Sequence, residues 1–284
     1  MDHSADRHDT HSLSSAPAEV AAWARAFDSR DMPVLAATAE SLEEWRASED
    51  TVDAHLLAQT LGSDPLMTLK LLRHAARQRH RRQHTDAETV TEALVMLGIT
   101  PFFRDFGLQP TVEQCLGGQP AALAGLQAVL RRADRAARFA LGFAVHRQDL
   151  DAAVIHQAAL LHDFAEMLLW VHEPDLALEV ARLQAEDPTR RSADAQRAVL
   201  RVALAEVQQA LMKAWHLPEL LVRISHDLAS PLHQVRNVQL AIRLARHSAR
   251  GWLDPALADD VDAIAQLLNL GTAPTLHLLH ELDD

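Results

Sequence analysis

The 284-residue sequence has no tyrosine, only 9 glycines and a single cysteine, Cys115. One cysteine excludes an internal disulfide and every zinc module built from several cysteines, a usage typical of a reducing compartment. No apolar run reaches the roughly 18 to 20 residues that span a bilayer, and the polar N-terminus lacks the apolar centre of a signal peptide. We therefore expect a cytoplasmic protein that makes no contact with a membrane.

The charge balance is acidic, with a formal net charge of -12 at pH 7. A protein that coats nucleic acid with its whole surface needs the opposite sign, because the phosphate backbone is anionic. We therefore expect no nucleic-acid partner.

Apolar residues recur at helical spacing along almost the whole chain, and no segment alternates with period two over the length of a strand. The helix-forming residues Ala, Leu, Arg, Glu and Gln dominate its middle. The sequence therefore predicts an all-α fold.

Three of the predicted helices have clear start or stop signals. One begins at Pro65 after the capping residue Asp64 and runs to about residue 77. Another begins at Thr85 and ends at Gly98. A third runs over residues 193–215 without interruption, which corresponds to about six turns.

The segment Gly-Gly-Gln-Pro at 117–120 is the clearest interruption of the helical pattern. It predicts a boundary between an N-terminal helical lobe over residues 18–118 and a C-terminal helical lobe over 119–284. The polar N-terminus predicts a disordered polar tail over residues 1–17.

Five short blocks stand out by their order and spacing. They are Met-Pro at 32–33, Ser-Asp-Pro-Leu-Met-Thr-Leu-Lys-Leu-Leu-Arg at 63–73, Ala-Leu-Val-Met-Leu-Gly at 93–98, Leu-Leu-His-Asp at 160–163 and Trp-His-Leu-Pro at 215–218. Together they resemble the HDOD family, the output-domain relatives of the HD phosphohydrolases, over about residues 32–248. The resemblance implies a multi-helix bundle whose C-terminal lobe is HD-like, and a regulatory role in bacterial signalling.

The resemblance also implies where the metal site of the HD superfamily would lie. Its positions fall, in chain order, at Arg132, His162, Asp163, Leu204, His226 and Asp227. Its final acidic position falls near Ile242, which again has no ligand atom. A guanidinium cannot ligate a cation, and a leucine side chain has no donor atom. We therefore expect a degenerate site with no catalytic residues and no cofactor, in which Arg132 contacts Asp163.

The resemblance also leaves one cofactor open and marks a further departure from the family at Gln208. If a cofactor binds, it is a divalent metal held by His162, Asp163 and His226. Gln208 replaces a small glycine of the family.

One stretch is densely basic, with five arginines in ten positions. These candidate anion-binding residues are Arg73, Arg77, Arg79, Arg81 and Arg82. The alternative is a solvated helix end, where basic groups also favour the C-terminal end of the helix dipole. The stretch lacks the interleaved aromatic residues that single-stranded nucleic-acid grooves use.

Three functions remain open from the sequence. The leading one is a non-catalytic signalling module that acts through contacts with signalling or regulatory proteins. The second is a residual metal-dependent phosphohydrolase that uses His162, Asp163 and His226. The third is a sensor whose inter-lobe cleft binds a small anionic or nucleotide ligand through Arg132 or the basic stretch.

Overall fold

The computed structural model describes residues 16–82, 87–187, 189–225 and 232–283. Within these ranges the regular structure is helical, apart from an isolated parallel bridge between Val34 and Thr111. The predicted all-α class is therefore confirmed. None of the helices in these ranges combines the length and the apolar character that crossing a membrane requires.

Seven α-helices of the described chain precede the interruption at 117–120. They are α1 (Val20–Asp28), α2 (Ala36–Arg46), α3 (Ala54–Leu61), α4 (Pro65–Arg82), α5 (Val90–Leu97), α6 (Ile99–Asp105) and α7 (Val112–Leu116).

Ten described α-helices follow it. They are α8 (Pro120–His146), α9 (Ala152–Leu160), α10 (Phe164–His172), α11 (Pro174–Glu186), α12 (Ser192–Leu200), α13 (Leu204–Ala214), α14 (Glu219–Ile224), α15 (His233–His247), α16 (Leu257–Leu268) and α17 (Thr272–Asp283).

The start of α4 agrees with its sequence signal. The carboxylate of Asp64 accepts hydrogen bonds from the backbone N–H groups of Leu66 at 2.9 Å and Met67 at 3.0 Å, which caps the helix. The helix then continues to Arg82 rather than ending near residue 77, so most of the basic stretch is helical.

The start of α5 differs from the prediction. The helix begins at Val90, because the hydroxyl of Thr89 accepts from the Glu92 N–H at 3.2 Å and so caps the first turn. Thr85, the predicted first residue, lies outside the described residues.

The prediction of a single helix over residues 193–215 is wrong. The chain forms two helices there, α12 and α13, because Arg201 adopts a left-handed backbone conformation with φ of 64°. A left-handed residue cannot continue a right-handed helix.

Side chains from elsewhere stabilise this break. The indole N–H of Trp23 on α1 donates to the Leu200 carbonyl at 3.2 Å. The Leu204 N–H donates instead to the side-chain carbonyl of Gln196 at 2.9 Å. These two hydrogen bonds satisfy the polar groups that an uninterrupted helix would have paired with each other.

The long helix α8 lies at the centre of the C-terminal half and packs against α9, α10, α15 and α17. Its buried face carries small residues, among them Ala133, Ala137 and Ala140, which let neighbouring helices approach closely. Phe139 and Phe143 on the same helix are fully buried. This close packing fixes the position of Arg132 beside the turn that joins α9 and α10.

The first helix is held by the C-terminal half of the chain. Helix α1 packs against α13, and both Trp23 and Phe27 are fully buried. Arg30, just after α1, donates to the His172 carbonyl at 3.1 Å and to the Glu173 carboxylate at 2.7 Å.

Candidate functional site

His162 and Asp163 lie in the short turn between α9 and α10. The flanking residues Leu160, Leu161 and Phe164 are buried and anchor this turn in the core. The two polar side chains retain a small exposed fraction, 11% for His162 and 14% for Asp163. The apolar residues of the Leu-Leu-His-Asp block thus hold the polar pair in a fixed position at the edge of a cavity.

The predicted contact between Arg132 and Asp163 is present. Arg132 donates from Nε at 3.2 Å and from Nη2 at 2.9 Å to Oδ2 of Asp163, and Nη2 also donates to Glu166 at 2.8 Å. Arg246 on α15 donates to Oδ1 of Asp163 at 2.9 Å, and Nδ1 of His162 lies 2.9 Å from the same oxygen. These five residues are termed the Asp163 cluster.

Charge pairing sets the pKa values of this cluster. Burial alone would raise the pKa of Asp163, but Arg246, Arg132 and His162 hold it well below its ordinary value. Burial raises the pKa of Glu166. The positive charge of Arg132 lowers this pKa in part, and the negative charge of Asp163 raises it further. Burial alone would lower the pKa of Arg132, but Glu166 and Asp163 raise it. Asp163 is therefore an anion that needs the two guanidinium groups.

Two members of the cluster were missed by the sequence reasoning. Glu166 lies three residues after Asp163 and Arg246 lies four residues after Ile242, which is the spacing of neighbours on one helical face. That spacing was the available signal. Ile242 itself is buried, at 4% exposure.

A cavity of about 860 Å³ opens beside the cluster. Leu204, one of the predicted positions, lies on its wall at the first residue of α13 and brings no ligand atom there. Trp170 forms another part of the wall and packs directly on α8, where a Cβ atom at Gly125 would come within 2.3 Å of its ring. The cavity therefore combines apolar stretches of wall with polar and charged side chains, the Asp163 cluster among them.

The described donor set does not fit a divalent metal. Both oxygens of the Asp163 carboxylate already accept hydrogen bonds from guanidinium groups. No group of three or more His, Cys, Asp or Glu side chains among the described residues could hold a metal ion. His226 and Asp227, the other two predicted positions, lie outside the described residues.

Gln208, where the resemblance implies a small glycine, is buried between two helices. Its side chain is 5% exposed, and its Oε1 accepts from the Ala165 N–H at 3.3 Å, in the first turn of α10. The larger side chain thus bridges α13 and α10 and satisfies a backbone donor that the start of a helix leaves unpaired.

The basic stretch lies away from this cavity, and its first arginine is engaged in the fold. Arg73 donates to Oδ1 of Asp28 at 2.5 Å and lies over the Trp215 ring, 4.7 Å from its centroid. The Trp215 indole donates to the same carboxylate at 2.7 Å, and Arg77 reaches it at 3.3 Å. These four residues are termed the Asp28 cluster. The side chains of Arg79, Arg81 and Arg82 lie outside the described part.

Comparisons with known proteins agree with this architecture. The sequence profile of the HDOD domain matches residues 32–229. The fold is similar to that of the MmoQ response regulator from Methylococcus capsulatus str. Bath, with a TM-score of 0.66 and 20% identity over 88% of this chain and 98% of that chain. It is also similar to a virulence factor, cj0248, from Campylobacter jejuni subsp. jejuni, with a TM-score of 0.64 and 15% identity over 93% and 95%. At these identities the likeness shows the fold alone. A search of curated protein sequences gives no match.

Proposed function

Because this chain belongs to the HDOD family, whose members are related to HD phosphohydrolases, we propose that it is a non-catalytic regulatory module of bacterial signal transduction. It acts through contacts with other signalling proteins. MmoQ, which shares the fold, is called a response regulator, and this supports a signalling role.

The observation that carries the proposal is that two arginines donate hydrogen bonds to the Asp163 carboxylate. In an HD metal centre the carboxylate of the His-Asp doublet is a ligand, and its charge is balanced by the cation. Here Arg132 and Arg246 each donate to one of its two oxygens at 2.9 Å. A cation would have to displace both guanidinium groups and would then be repelled by them at short range.

The cluster has a structural consequence that suits a regulatory module. Arg132 comes from α8, Glu166 from α10 and Arg246 from α15, and all three meet at or beside Asp163. Charge-assisted hydrogen bonds are shorter and stronger than neutral ones, so the cluster joins these three helices without a metal. A rigid surface built in this way can present a constant shape to a protein partner.

The proposal is tested by the metal content of protein purified without chelator or added metal, measured by elemental mass spectrometry. The wild type is compared with Asp163→Ala and with Asp134→Ala, which removes an exposed carboxylate on α8 instead. We expect far less than one metal ion per chain in all three proteins. We also expect that none of them hydrolyses a phosphomonoester in a reaction that a chelator stops.

The opposite result favours the alternative function. Near-stoichiometric metal in the wild type and in Asp134→Ala, lost in Asp163→Ala, would overturn the proposal. It would indicate a metal-dependent phosphohydrolase that uses His162, Asp163 and His226.

A further inference from the structure

The Asp163 cluster presents opposite charges side by side to the cavity. Arg132 on α8 and Glu166 on α10 both line the cavity, and Nη2 of Arg132 lies 2.8 Å from Oε2 of Glu166. Their side chains are 24% and 30% exposed, so a molecule in the cavity can reach both of them. These two residues are termed the Arg132–Glu166 pair.

Each member of the pair can form further hydrogen bonds. A guanidinium has five N–H donors, and the contacts of Arg132 with Asp163 and Glu166 use Nε and Nη2. A carboxylate accepts through two oxygens, and the contact of Glu166 with Arg132 uses Oε2. Nη1 of Arg132 and Oε1 of Glu166 are thus available to a ligand, which would displace water from them.

The charges around the pair balance each other. Arg132 and Arg246 carry the positive charges of the cluster, whereas Asp163 and Glu166 carry the negative ones. A ligand with a single charge would be attracted by one member of the pair and repelled by the other at a similar distance. A ligand that carries both charges close together is attracted by both members. The pair therefore favours a zwitterion.

Apolar residues line the cavity next to the pair. Trp170 follows Glu166 by four positions on α10, so the two side chains are neighbours on one face of the helix. Val180 and Ala181 on α11 also line the cavity, and Ala181 is partly exposed. The volume of about 860 Å³ lies within the range of cavities that enclose small-molecule ligands. A zwitterionic group at the pair would therefore have an apolar wall beside it.

We propose that the cavity binds a free α-amino acid with an apolar side chain. The ligand carboxylate accepts from Nη1 of Arg132, and the ligand ammonium donates to Oε1 of Glu166. Both groups of an α-amino acid are attached to one carbon, so their spacing suits two charged side chains in contact. The apolar side chain of the ligand packs against Trp170, Val180 and Ala181. As a regulatory input this binding rests on the proposed function, because the amino acid would then bias the contacts of a signalling module.

The test uses matched probes on the full chain, titrated by calorimetry or by protein-observed NMR. L-phenylalanine has both charges, N-acetyl-L-phenylalanine lacks the ammonium, and L-phenylalaninamide lacks the carboxylate. We expect saturable binding of one L-phenylalanine per chain. Each of the other two probes should bind roughly tenfold more weakly, the effect of one lost charge-assisted hydrogen bond.

Two matched variants locate the binding. Glu166→Gln keeps the shape of the side chain but removes its charge, so L-phenylalanine should bind roughly tenfold more weakly. N-acetyl-L-phenylalanine should bind this variant more tightly than the wild type, because the repulsion of its carboxylate by Glu166 is gone. A general loss of structure would weaken both probes.

Glu206→Gln is the control, because Glu206 also lines the cavity but pairs with Arg197 at 3.1 Å. It should bind L-phenylalanine as the wild type does. Melting curves show whether each variant is folded, and the probe series tests the wild type even if a variant is not.

Three results would overturn the inference. They are no saturable binding of L-phenylalanine, an equal affinity for either probe that lacks a charge, and equal affinities of Glu166→Gln and Glu206→Gln for L-phenylalanine. All three leave the metal measurement, and with it the proposed function, unchanged. Stoichiometric metal would overturn the proposed function instead, and titration of the chelator-treated protein would still decide whether the amino acid binds.

Discussion

The Asp163 and Asp28 clusters have the same composition at their centre, one carboxylate between two arginines, in very different surroundings. The side chain of Asp163 is 14% exposed, whereas that of Asp28 is 45% exposed. Asp163 borders a cavity next to the core, and Asp28 lies at the end of α1.

The difference shows that burial, rather than the number of contacts, decides how much an ion pair contributes to the free energy of unfolding. The Asp28 carboxylate is accessible to water, which can replace an arginine as its partner, so each pair is worth little. Around Asp163, water has little access, and a partner that is removed leaves a charge without compensation. The pKa of Asp163 accordingly lies well below its ordinary value, because Arg246 and Arg132 outweigh its burial.

The largest expected effect is that of Asp163→Asn. It leaves Arg132 and Arg246 facing each other without their shared anion, and we expect a loss of about 3 kcal/mol in the free energy of unfolding. Urea unfolding at neutral pH measures this loss. The matched change Asp28→Asn should cost about 1 kcal/mol or less, and equal losses for the two variants would contradict the comparison.

Within the Asp163 cluster, Arg132 should matter more than Arg246. The Arg132 side chain is 24% exposed and pairs with two carboxylates, whereas that of Arg246 is 47% exposed and pairs with one. Arg132→Met should cost roughly 2 kcal/mol, since it removes the guanidinium paired with Glu166 and leaves Asp163 with Arg246 alone, whereas Arg246→Met should cost about 0.5 kcal/mol. Chemical unfolding of the two variants ranks them, and a reversed order would show that exposure is the wrong criterion.

The stability of the protein at acid pH should depend on the protonation of Asp163. Its pKa is depressed in the folded state, so its contribution is present above the ordinary aspartate value of about 3.9 and is lost as the pH falls below it. The stability gap between wild type and Asp163→Asn should therefore narrow by about 1 kcal/mol between pH 5 and pH 3. Unfolding curves at both pH values measure it, and a constant gap would show that Asp163 titrates normally.

The smallest expected losses of stability are those of variants at the two arginines of the Asp28 cluster. Arg73 is 10% exposed and lies over Trp215, a stacking that lysine cannot reproduce, so Arg73→Lys should cost about 1 kcal/mol. Arg77 is 59% exposed, and Arg77→Ala should stay within about 0.5 kcal/mol of wild type. Thermal unfolding at low and high salt checks both, and a salt-sensitive loss in Arg77→Ala would show a larger electrostatic role.

The parts of this structure that follow local rules could be predicted from sequence. Helical periodicity gave the fold class, and Asp64 marked the start of α4 because an N-cap acts within its own turn. The contact between Arg132 and Asp163 could be predicted because the family resemblance places both residues in one site.

The parts that escaped prediction depend on distant residues. The break between α12 and α13 is stabilised by Trp23, which is 177 positions from Leu200 in sequence, while the local pattern of residues 193–215 is helical throughout. Arg246 on α15 contacts Asp163, which is 83 positions away in sequence. Local periodicity alone does not encode such contacts.

The hydrogen bond from Trp23 to Leu200 also has a consequence for folding during synthesis. Helix α1 leaves the ribosome long before the carbonyl that its indole binds, and before α13, against which it packs. Until then α1, whose Trp23 and Phe27 are fully buried in the complete fold, lacks this packing partner. A fragment limited to residues 32–229 would lack α1 altogether, so the packed core extends beyond the residues that the family profile matches.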